Sequence, residues 1–211
     1  MRTVAHAHGH AAWHGRAGAG ALPVRRHAAH PHHEPSRRVD IGQVEASRHA
    51  VRLHTILGSC VAVCLYDPAA GVGGMNHILV PSSTGTRCGA RCGVHAMELL
   101  INAVMRQGGD RRRLVAKAFG AGNVLPVFST PTVGELNAKF VRDFLRTEGI
   151  PLLAERLGGD QAVRVSFHTH TGRALVHTVD GSRLPKLIRE ETEFYQTAPA
   201  QRFAVEEPVI F

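Results

Sequence analysis

Hydrophobic positions recur along the chain in two periods, one typical of strands and one typical of helices. Short apolar or alternating runs predict strands, whereas apolar residues spaced three and four apart predict amphipathic helices. The predicted strands are 39–44, 51–57, 61–66, 72–80, 114–119, 152–157, 163–167 and 174–179, and the predicted helices are 93–107, 134–147 and 184–195. Short strands interspersed with helices predict one layered α/β (α+β) domain of mixed β-sheets with two to three flanking helices.

The first residues lack this periodicity. Residues 1–38 consist mainly of Ala, Gly, His, Arg and Pro, and eight of the 15 histidines lie there. Such a segment cannot bury enough apolar surface to offset the entropy lost on ordering. We therefore predict a disordered His/Arg-rich tail over 1–38, a folded domain over 39–195 and an irregular C-terminal tail over 196–211. The histidines could bind a transition metal, but they show no fixed ligand spacing, which favours a solvated tail or a start codon placed too far upstream.

The charge of the chain narrows the choice of partners. The formal net charge is +8, and residues 1–40 contribute half of it through six arginines against Glu34 and Asp40. The folded part is therefore only mildly basic. Aromatic residues make up 5% of the chain and no basic run contains them, so we do not expect nucleic-acid binding, and an acidic protein partner fits the charge equally well.

The four cysteines and the absence of an export signal indicate where the protein works. Neither an apolar signal segment nor a run long enough to cross a membrane is visible, so we expect no membrane insertion. Four cysteines without an export signal are typical of a reducing compartment. The expected location is the cytoplasm.

Cys60 and His77 are the residues whose chemistry is most informative. Cys60 follows Gly58 and Ser59 at a predicted chain reversal, and His77 is a polar residue within an apolar segment 17 positions later. A histidine or a positive local field lowers the pKa of a cysteine thiol and makes it a nucleophile near neutral pH. Backbone N–H groups at such a turn can converge on a developing oxyanion. Cys64 lies inside an apolar strand, where inert core packing is the expected role.

Three other clusters were weighed as metal or phosphate sites. Cys88, Cys92 and His95 match no structural zinc spacing, which favours a solvent-facing loop. The loop with Gly120 and Gly122 lacks the lysine of a phosphate-binding loop, so a turn is favoured. His168 and His170 could share one metal ion, although exposed histidines at a strand end are the simpler interpretation. We therefore predict neither a metal nor an organic cofactor.

A longer pattern surrounds the cysteine and the histidine. It comprises LGSCVAVCLYD at 57–67, GMNHILVP at 74–81, AMELLIN at 96–102, KAFGAGN at 117–123, residues 134–151, LGG at 157–159 and TGR at 171–173. In this order, over roughly residues 39–180, the pattern resembles the CheD family, the chemoreceptor glutamine deamidases of bacterial chemotaxis.

The resemblance implies a CheD-like sandwich and a cysteine-dependent deamidase. Cys60 would be the nucleophile, His77 the general base and acid, and Thr55 the third catalytic residue, with its register against His54 and Ile56 left open. Oxyanion or substrate-positioning roles would fall to Gly58, Ser59 and Asn76.

The implied reaction converts glutamine side chains of methyl-accepting chemotaxis receptors to glutamate through a thioester, releasing ammonia without a cofactor. A CheC-type phosphatase is a further implied partner. One alternative is a non-catalytic binding module that docks such a phosphatase or a chemoreceptor, and another is a thiol amidase for small molecules.

Some segments depart from the family pattern. These are the N-terminal residues, the stretch Phe167–Gly172 and the tail after Leu187, and we expect none of them to contact the Cys60–His77 pair. The enzymatic interpretation requires the Cys60 thiol to be ionised, accessible and within reach of the His77 imidazole.

Overall fold

The computed structural model describes residues 34–79, 89–124, 131–179 and 184–197, with backbone only for 89–92 and 195–197. The strands in these ranges are β1 (Ser36–Arg38), β2 (Val44–Ser47), β3 (Arg52–Leu57), β4 (Val61–Asp67), β5 (Val72–Asn76), β6 (Val115–Gly120), β7 (Leu152–Leu157), β8 (Val163–His168) and β9 (Ala174–Thr178). The helices are α1 (Gly89–Arg106), α2 (Val133–Thr147) and α3 (Leu184–Thr197), with a single 3₁₀ turn at Arg111–Arg113.

The strands form two mixed sheets that pack face to face. One sheet has the order β1-β3-β8-β9 and the other has the order β2-β5-β4-β6-β7. Strand β4 shows the layering, because its side chains alternate between two cores. Val61, Val63 and Leu65 pack with residues of α1 and α2, whereas Ala62 and Cys64 pack with Leu53 and Phe167 of the opposite sheet. The predicted layered α+β domain is confirmed.

Most of the predicted elements are present with ends shifted by a few residues. Strands β3, β4 and β6 to β9 and helices α2 and α3 lie where the periodicity placed them. Helix α1 begins at Gly89 rather than at residue 93. Strand β5 ends at Asn76, and Ile78 forms only an isolated bridge with Val61.

Two predictions near the start of the domain are wrong. The alternating segment 39–44 is not a strand before Val44, where β2 begins, because Ile41 and Gly42 form a turn in which Gly42 has φ 81°. Residues 36–38 were assigned to the tail but form β1, which pairs in parallel with β3. A strand of three exposed residues has no hydrophobic alternation to reveal it, since the ladder with β3 supplies its stabilisation. The rest of the predicted tail, residues 1–33, lies outside the described residues, as do residues 198–211.

Asp67 fixes the turn that joins β4 to β5. Its side chain is fully buried, accepts hydrogen bonds from the backbone N–H groups of Ala69, Ala70 and Asp110, and forms an ion pair with Arg113 at 2.7 Å. The Arg113 guanidinium holds the pKa of this carboxyl well below its usual range. The charge is therefore retained in the interior by donors that surround it.

We expect Asp67→Asn to lower the free energy of unfolding by about 2–3 kcal/mol, because an amide nitrogen would replace an acceptor of these donors. Urea denaturation at pH 7 measures this. Asp143→Asn is the control, since Asp143 pairs with Lys139 and Arg146 on the exposed face of α2 and its substitution should leave the free energy of unfolding nearly unchanged. In the wild type, the ionised Asp67 carboxylate contributes to the free energy of unfolding above its unfolded pKa of about 4, and this contribution is lost as the pH falls. Equal losses in the two variants would show that Asp67 does not anchor the turn.

Candidate active site

The turn at residues 58–60 carries the chain from one sheet to the other, because β3 ends at Leu57 and β4 begins at Val61. Each of its carbonyl oxygens accepts a hydrogen bond, two of them from the loop after β6 and one from α2. The donors are the Gly122 N–H to Gly58 at 2.7 Å, the Asn137 Nδ2–H to Ser59 at 2.7 Å and the Ala121 N–H to Cys60 at 2.6 Å. These bonds hold the peptide planes of the turn in one orientation.

The N–H groups of the same turn converge on one carboxylate. Glu191 of α3 accepts from the N–H of Gly58 at 3.0 Å, from that of Ser59 at 3.1 Å and, at 3.5 Å, from that of Cys60. The Ser59 hydroxyl donates to it at 2.6 Å. Successive N–H groups that point into one concavity form an anion-binding nest. The backbone N–H groups of Gly58 and Ser59 thus have the geometry that the predicted oxyanion binding would require.

The loop after β6 supports the turn from behind. Gly120 has φ 101° and Ala121 has φ 57°, the one positive φ at a non-glycine residue in the described part of the chain. This backbone conformation directs the N–H groups of Ala121 and Gly122 at the turn. A strained position held by its surroundings is typical of functional sites. Gly120 and Gly122 therefore belong to the support of the cysteine turn.

His77 contacts Thr55 across the interface between the sheets. The Thr55 hydroxyl, on β3, lies 2.9 Å from His77 Nδ1, and the Val39 carbonyl lies 3.3 Å from the same nitrogen. Because a carbonyl only accepts, this network assigns the proton to Nδ1 and leaves a lone pair on Nε2. His54 bonds to Ser36 instead, so the structure places Thr55, and not His54, next to His77.

The His77 imidazole is held neutral. Its side chain is buried, and burial lowers its pKa to about 4. Nε2 is buried without a hydrogen-bond partner among the described residues. A buried, neutral imidazole with a free lone pair has a nitrogen that can accept a proton.

The strand register brings Cys60 to the same side as His77. Val61 pairs with Ile78, so Ala62 stands opposite His77 in the continued antiparallel register. Cys60 and Ala62 share one face of the strand. Cys60 and His77 are therefore diagonal neighbours on one face, a relation in which Cα atoms are about 7–8 Å apart.

The Cys60 thiol is closed off in this structure. The residue is fully buried, and burial raises the pKa of its thiol well above the ordinary value, with a further rise from the Glu191 carboxylate. The expectation of an ionised and accessible thiol is wrong for this conformation. Cys60 packs in the core between the sheets, and Glu191 of α3, a helix expected to stay clear of the pair, lies 3.5 Å from the Cys60 N.

Comparison with known proteins assigns the family. The family model described as CheD chemotactic sensory transduction matches residues 79–178. A protein from Agrobacterium fabrum named probable chemoreceptor glutamine deamidase CheD is 47% identical over 144 residues, which are 67% of this chain and 78% of that protein. A Ruegeria protein named probable chemoreceptor glutamine deamidase CheD 1 is 46% identical over 157 residues, 74% of this chain and 83% of that protein. The chain belongs to the CheD family.

A likeness to a solved structure is much weaker. The crystal structure of the Bacillus licheniformis hypothetical protein YfiH aligns with a TM-score of 0.35 and 17% identity over 53% of this chain and 49% of that chain, which supports no conclusion about function. Within the described residues, no helix is long and apolar enough to cross a membrane.

Other predicted residues of this CheD-family chain lie away from the cysteine turn or outside the description. Asn76 is fully buried, and its amide joins the Val63 N–H at 3.0 Å to the Ala96 carbonyl at 3.2 Å, which favours a structural role. His168 contacts Glu34 at 2.6 Å, and His170 lies in the turn after β8. Cys88 and the Cys92 side chain are outside the described residues. The described residues contain no cluster suited to a metal ion.

Two polar residues of this CheD-family site, Asn137 and Glu191, do not stand out in the sequence. Asn137 is fully buried on the face of α2 that also carries Ala138 and Val141, and Glu191 is fully buried on α3. In both helices the signal is a polar residue within the apolar stripe. A buried polar side chain needs a partner, and here both partners are groups of the cysteine turn.

Proposed function

We propose that this chain hydrolyses the side-chain amide of specific glutamines on methyl-accepting chemotaxis receptors, producing glutamate and ammonia. The relatives' names supply the reaction and the substrate. The observation that carries the proposal is the Thr55–His77 contact beside a cysteine whose turn presents converging N–H groups. Nucleophile, base, orienting hydroxyl and oxyanion donors are the set that acyl transfer requires.

The first half of the reaction forms a thioester. His77 Nε2 removes the proton from the Cys60 thiol as the sulfur attacks the carboxamide carbon of the substrate. The N–H groups of Gly58 and Ser59 donate to the resulting oxyanion. The imidazolium then protonates the amide nitrogen, the C–N bond breaks and ammonia leaves. Protonation is essential because an amide anion is a very poor leaving group.

The second half restores the enzyme. His77, neutral again, removes a proton from a water molecule that attacks the thioester carbonyl. The same N–H groups stabilise the second oxyanion. The C–S bond breaks, the sulfur recovers the proton from His77, and the glutamyl side chain is released.

Mass spectrometry of a receptor cytoplasmic fragment tests the proposal. Incubation with the protein should raise the mass of the fragment by about one dalton for each glutamine converted, with release of an equal amount of ammonia. Free glutamine should give no ammonia. Binding of the fragment without a mass change would support the binding module instead, and ammonia from free glutamine alone would support the small-molecule amidase.

The location and the second partner are part of the same proposal. The reaction places the protein in the cytoplasm with the receptor domains that it modifies. A CheC-type phosphatase is proposed as a further binding partner on the basis of the family resemblance. Co-purification of this chain with a CheC-type phosphatase measures that interaction, and co-purification of this chain with the receptor fragment is the comparison.

Thr55→Val is expected to lower kcat about 10- to 100-fold with KM unchanged, because valine keeps the shape of the residue but loses the hydroxyl that orients His77. Steady-state ammonia release measures both constants. Thr178→Val is the control, since Thr178 is an exposed residue of β9 and its substitution should leave kcat unchanged. If Thr55→Val retains the wild-type kcat, the hydroxyl has no positioning role.

A further inference from the structure

Glu191 occupies the place that the mechanism gives to the substrate. Its carboxylate is fully buried and is held by the three N–H groups of the cysteine turn and by the Ser59 hydroxyl. These are the donors that would bind the oxygen of a glutamine side chain. A glutamate side chain has the same length as a glutamine side chain and is also the chemical product of the reaction.

The approach of Glu191 is specific to this turn. A Cβ atom at Gly58 would lie 2.6 Å from Val124 Cγ2 and 2.8 Å from Glu191 Oε1, both closer than real Cβ contacts allow. Glycine at this position therefore leaves room for a carboxylate or a carboxamide close to the N–H groups. The nest therefore fits a planar oxygen-bearing side-chain group, and Glu191 supplies one from within the chain.

Glu191 enters the nest from a helix. Leu187, one turn earlier on α3, is buried with Val124 and Ala162, and the Phe194 ring lies beside Gly42 on the other side of Glu191. Residues i, i+4 and i+7 share one face of a helix. Leu187 before Glu191 and Phe194 after it thus pack α3 against the domain at the site.

The fit of α3 is loose on the side of His77. A cavity of about 300 Å³ separates the helix from the strands, and its lining includes His77, Ile41, Leu187 and Glu190. The ion pair that links Glu190 to Arg38 is 3.6 Å long and partly exposed, so it adds little. Displacement of α3 would therefore break few close contacts on the side that faces His77.

We propose that α3 is an internal product mimic that closes the active site, and that a glutamine side chain of the substrate must displace Glu191 before Cys60 can react. That α3 inhibits deamidation rests on the proposed function. That α3 covers Cys60 does not depend on it. Departure of Glu191 removes a negative charge from beside the thiol and opens a path to it. Both changes favour the reactive thiolate.

Alkylation of Cys60 by iodoacetamide tests the closure without any receptor. In the full chain, Glu191→Ala should raise the alkylation rate at Cys60 about tenfold or more, measured by peptide mass mapping. Glu193→Ala is the matched control, since it removes the same charge from the same helix at an exposed position and should leave the rate unchanged. Leu187→Ser loosens the seat of α3 without altering the nest and should also accelerate alkylation.

Cys64 serves as an internal reporter of unfolding. It lies four residues after Cys60, packs in the same core cluster and is also buried. A higher alkylation rate at Cys60 alone supports displacement of α3. A parallel increase in the alkylation rate at Cys64 shows general unfolding and contradicts the proposal. Leu187→Ser provides the same comparison if Glu191→Ala does not fold. Unchanged alkylation at Cys60 in the folded variants would overturn the proposal.

The receptor assay separates this proposal from the proposed function. Glu191→Ala should deamidate the receptor fragment with a KM several-fold lower than that of the wild type, because substrate no longer competes with α3. An unchanged KM together with unchanged alkylation overturns the mimic and leaves the deamidase intact. Faster alkylation with no deamidation by any variant supports the closure and rejects the deamidase.

Discussion

Cys60→Ala is expected to abolish deamidation of the receptor fragment, with no mass increase detectable in a time in which the wild type converts all of it. Alanine has no nucleophile, and water alone attacks an amide far too slowly to substitute for the thiol. The N–H groups of the turn and His77 remain in place. The loss therefore isolates the covalent step from the binding of substrate.

Cys64→Ala is the matched control for this variant. Cys60 and Cys64 are both fully buried on one face of the same strand region, and burial raises the pKa of both thiols. Cys64 has no contact with the anion-binding nest, so its substitution should leave the rate within about twofold of wild type. Retained deamidation in Cys60→Ala, or equal losses in the two variants, would remove Cys60 from the mechanism.

The sheets were largely predictable because their strands are short apolar runs. Val61–Asp67 is apolar on both faces, and the structure buries one face against helices and the other against the second sheet. The exception at residues 39–44 shows the limit of alternation. Gly42 adopts a positive φ there, and the N–H of Gln43 bonds to the Asp40 carbonyl instead of to a neighbouring strand. Alternation indicates one-sided burial but does not require an extended backbone.

The pairing of Thr55 with His77 could not be derived from spacing alone. The two residues belong to different sheets and meet only because the sheets stack. Family resemblance supplied both candidates, and the structure places Thr55 next to His77, because Leu53, Thr55 and Leu57 point inward on β3 while His54 and Ile56 do not. The two-residue period of a strand shows which of its side chains share a face, but it does not show which residue of the other sheet a given side chain contacts.

Glu191 was missed for a physical reason of the same kind. Its partners at residues 58–60 are more than 130 positions away in the sequence, and no local pattern encodes a contact over that separation. A carboxylate within the apolar stripe of α3 was nonetheless a signal, since a buried charge requires compensating donors. Such a residue in a predicted helix warrants a search for a nest of N–H groups elsewhere in the chain.

His77→Gln is expected to lower kcat by about 10²- to 10⁴-fold, the usual contribution of a positioned general base and acid. Glutamine keeps a side-chain amide that can bond to Thr55 but cannot move a proton. His177→Gln, an exposed substitution on β9, should leave kcat unchanged. Ammonia release over a range of pH measures the effect, and the remaining activity of His77→Gln should rise with hydroxide, because ionisation of Cys60 then depends on the solvent.

The stability of His77→Gln gives a second measure of the same imidazole. Folding lowers the pKa of His77 to about 4, whereas the unfolded chain takes up the proton near pH 6.5. Between these values the unfolded state binds more protons, so wild-type stability falls as the pH falls. From pH 7 to pH 5 the wild type should lose about 2 kcal/mol more than His77→Gln in urea denaturation. Equal losses would mean that the folded and unfolded chains take up this proton over the same pH range, so that burial does not hold the imidazole neutral below pH 6.5.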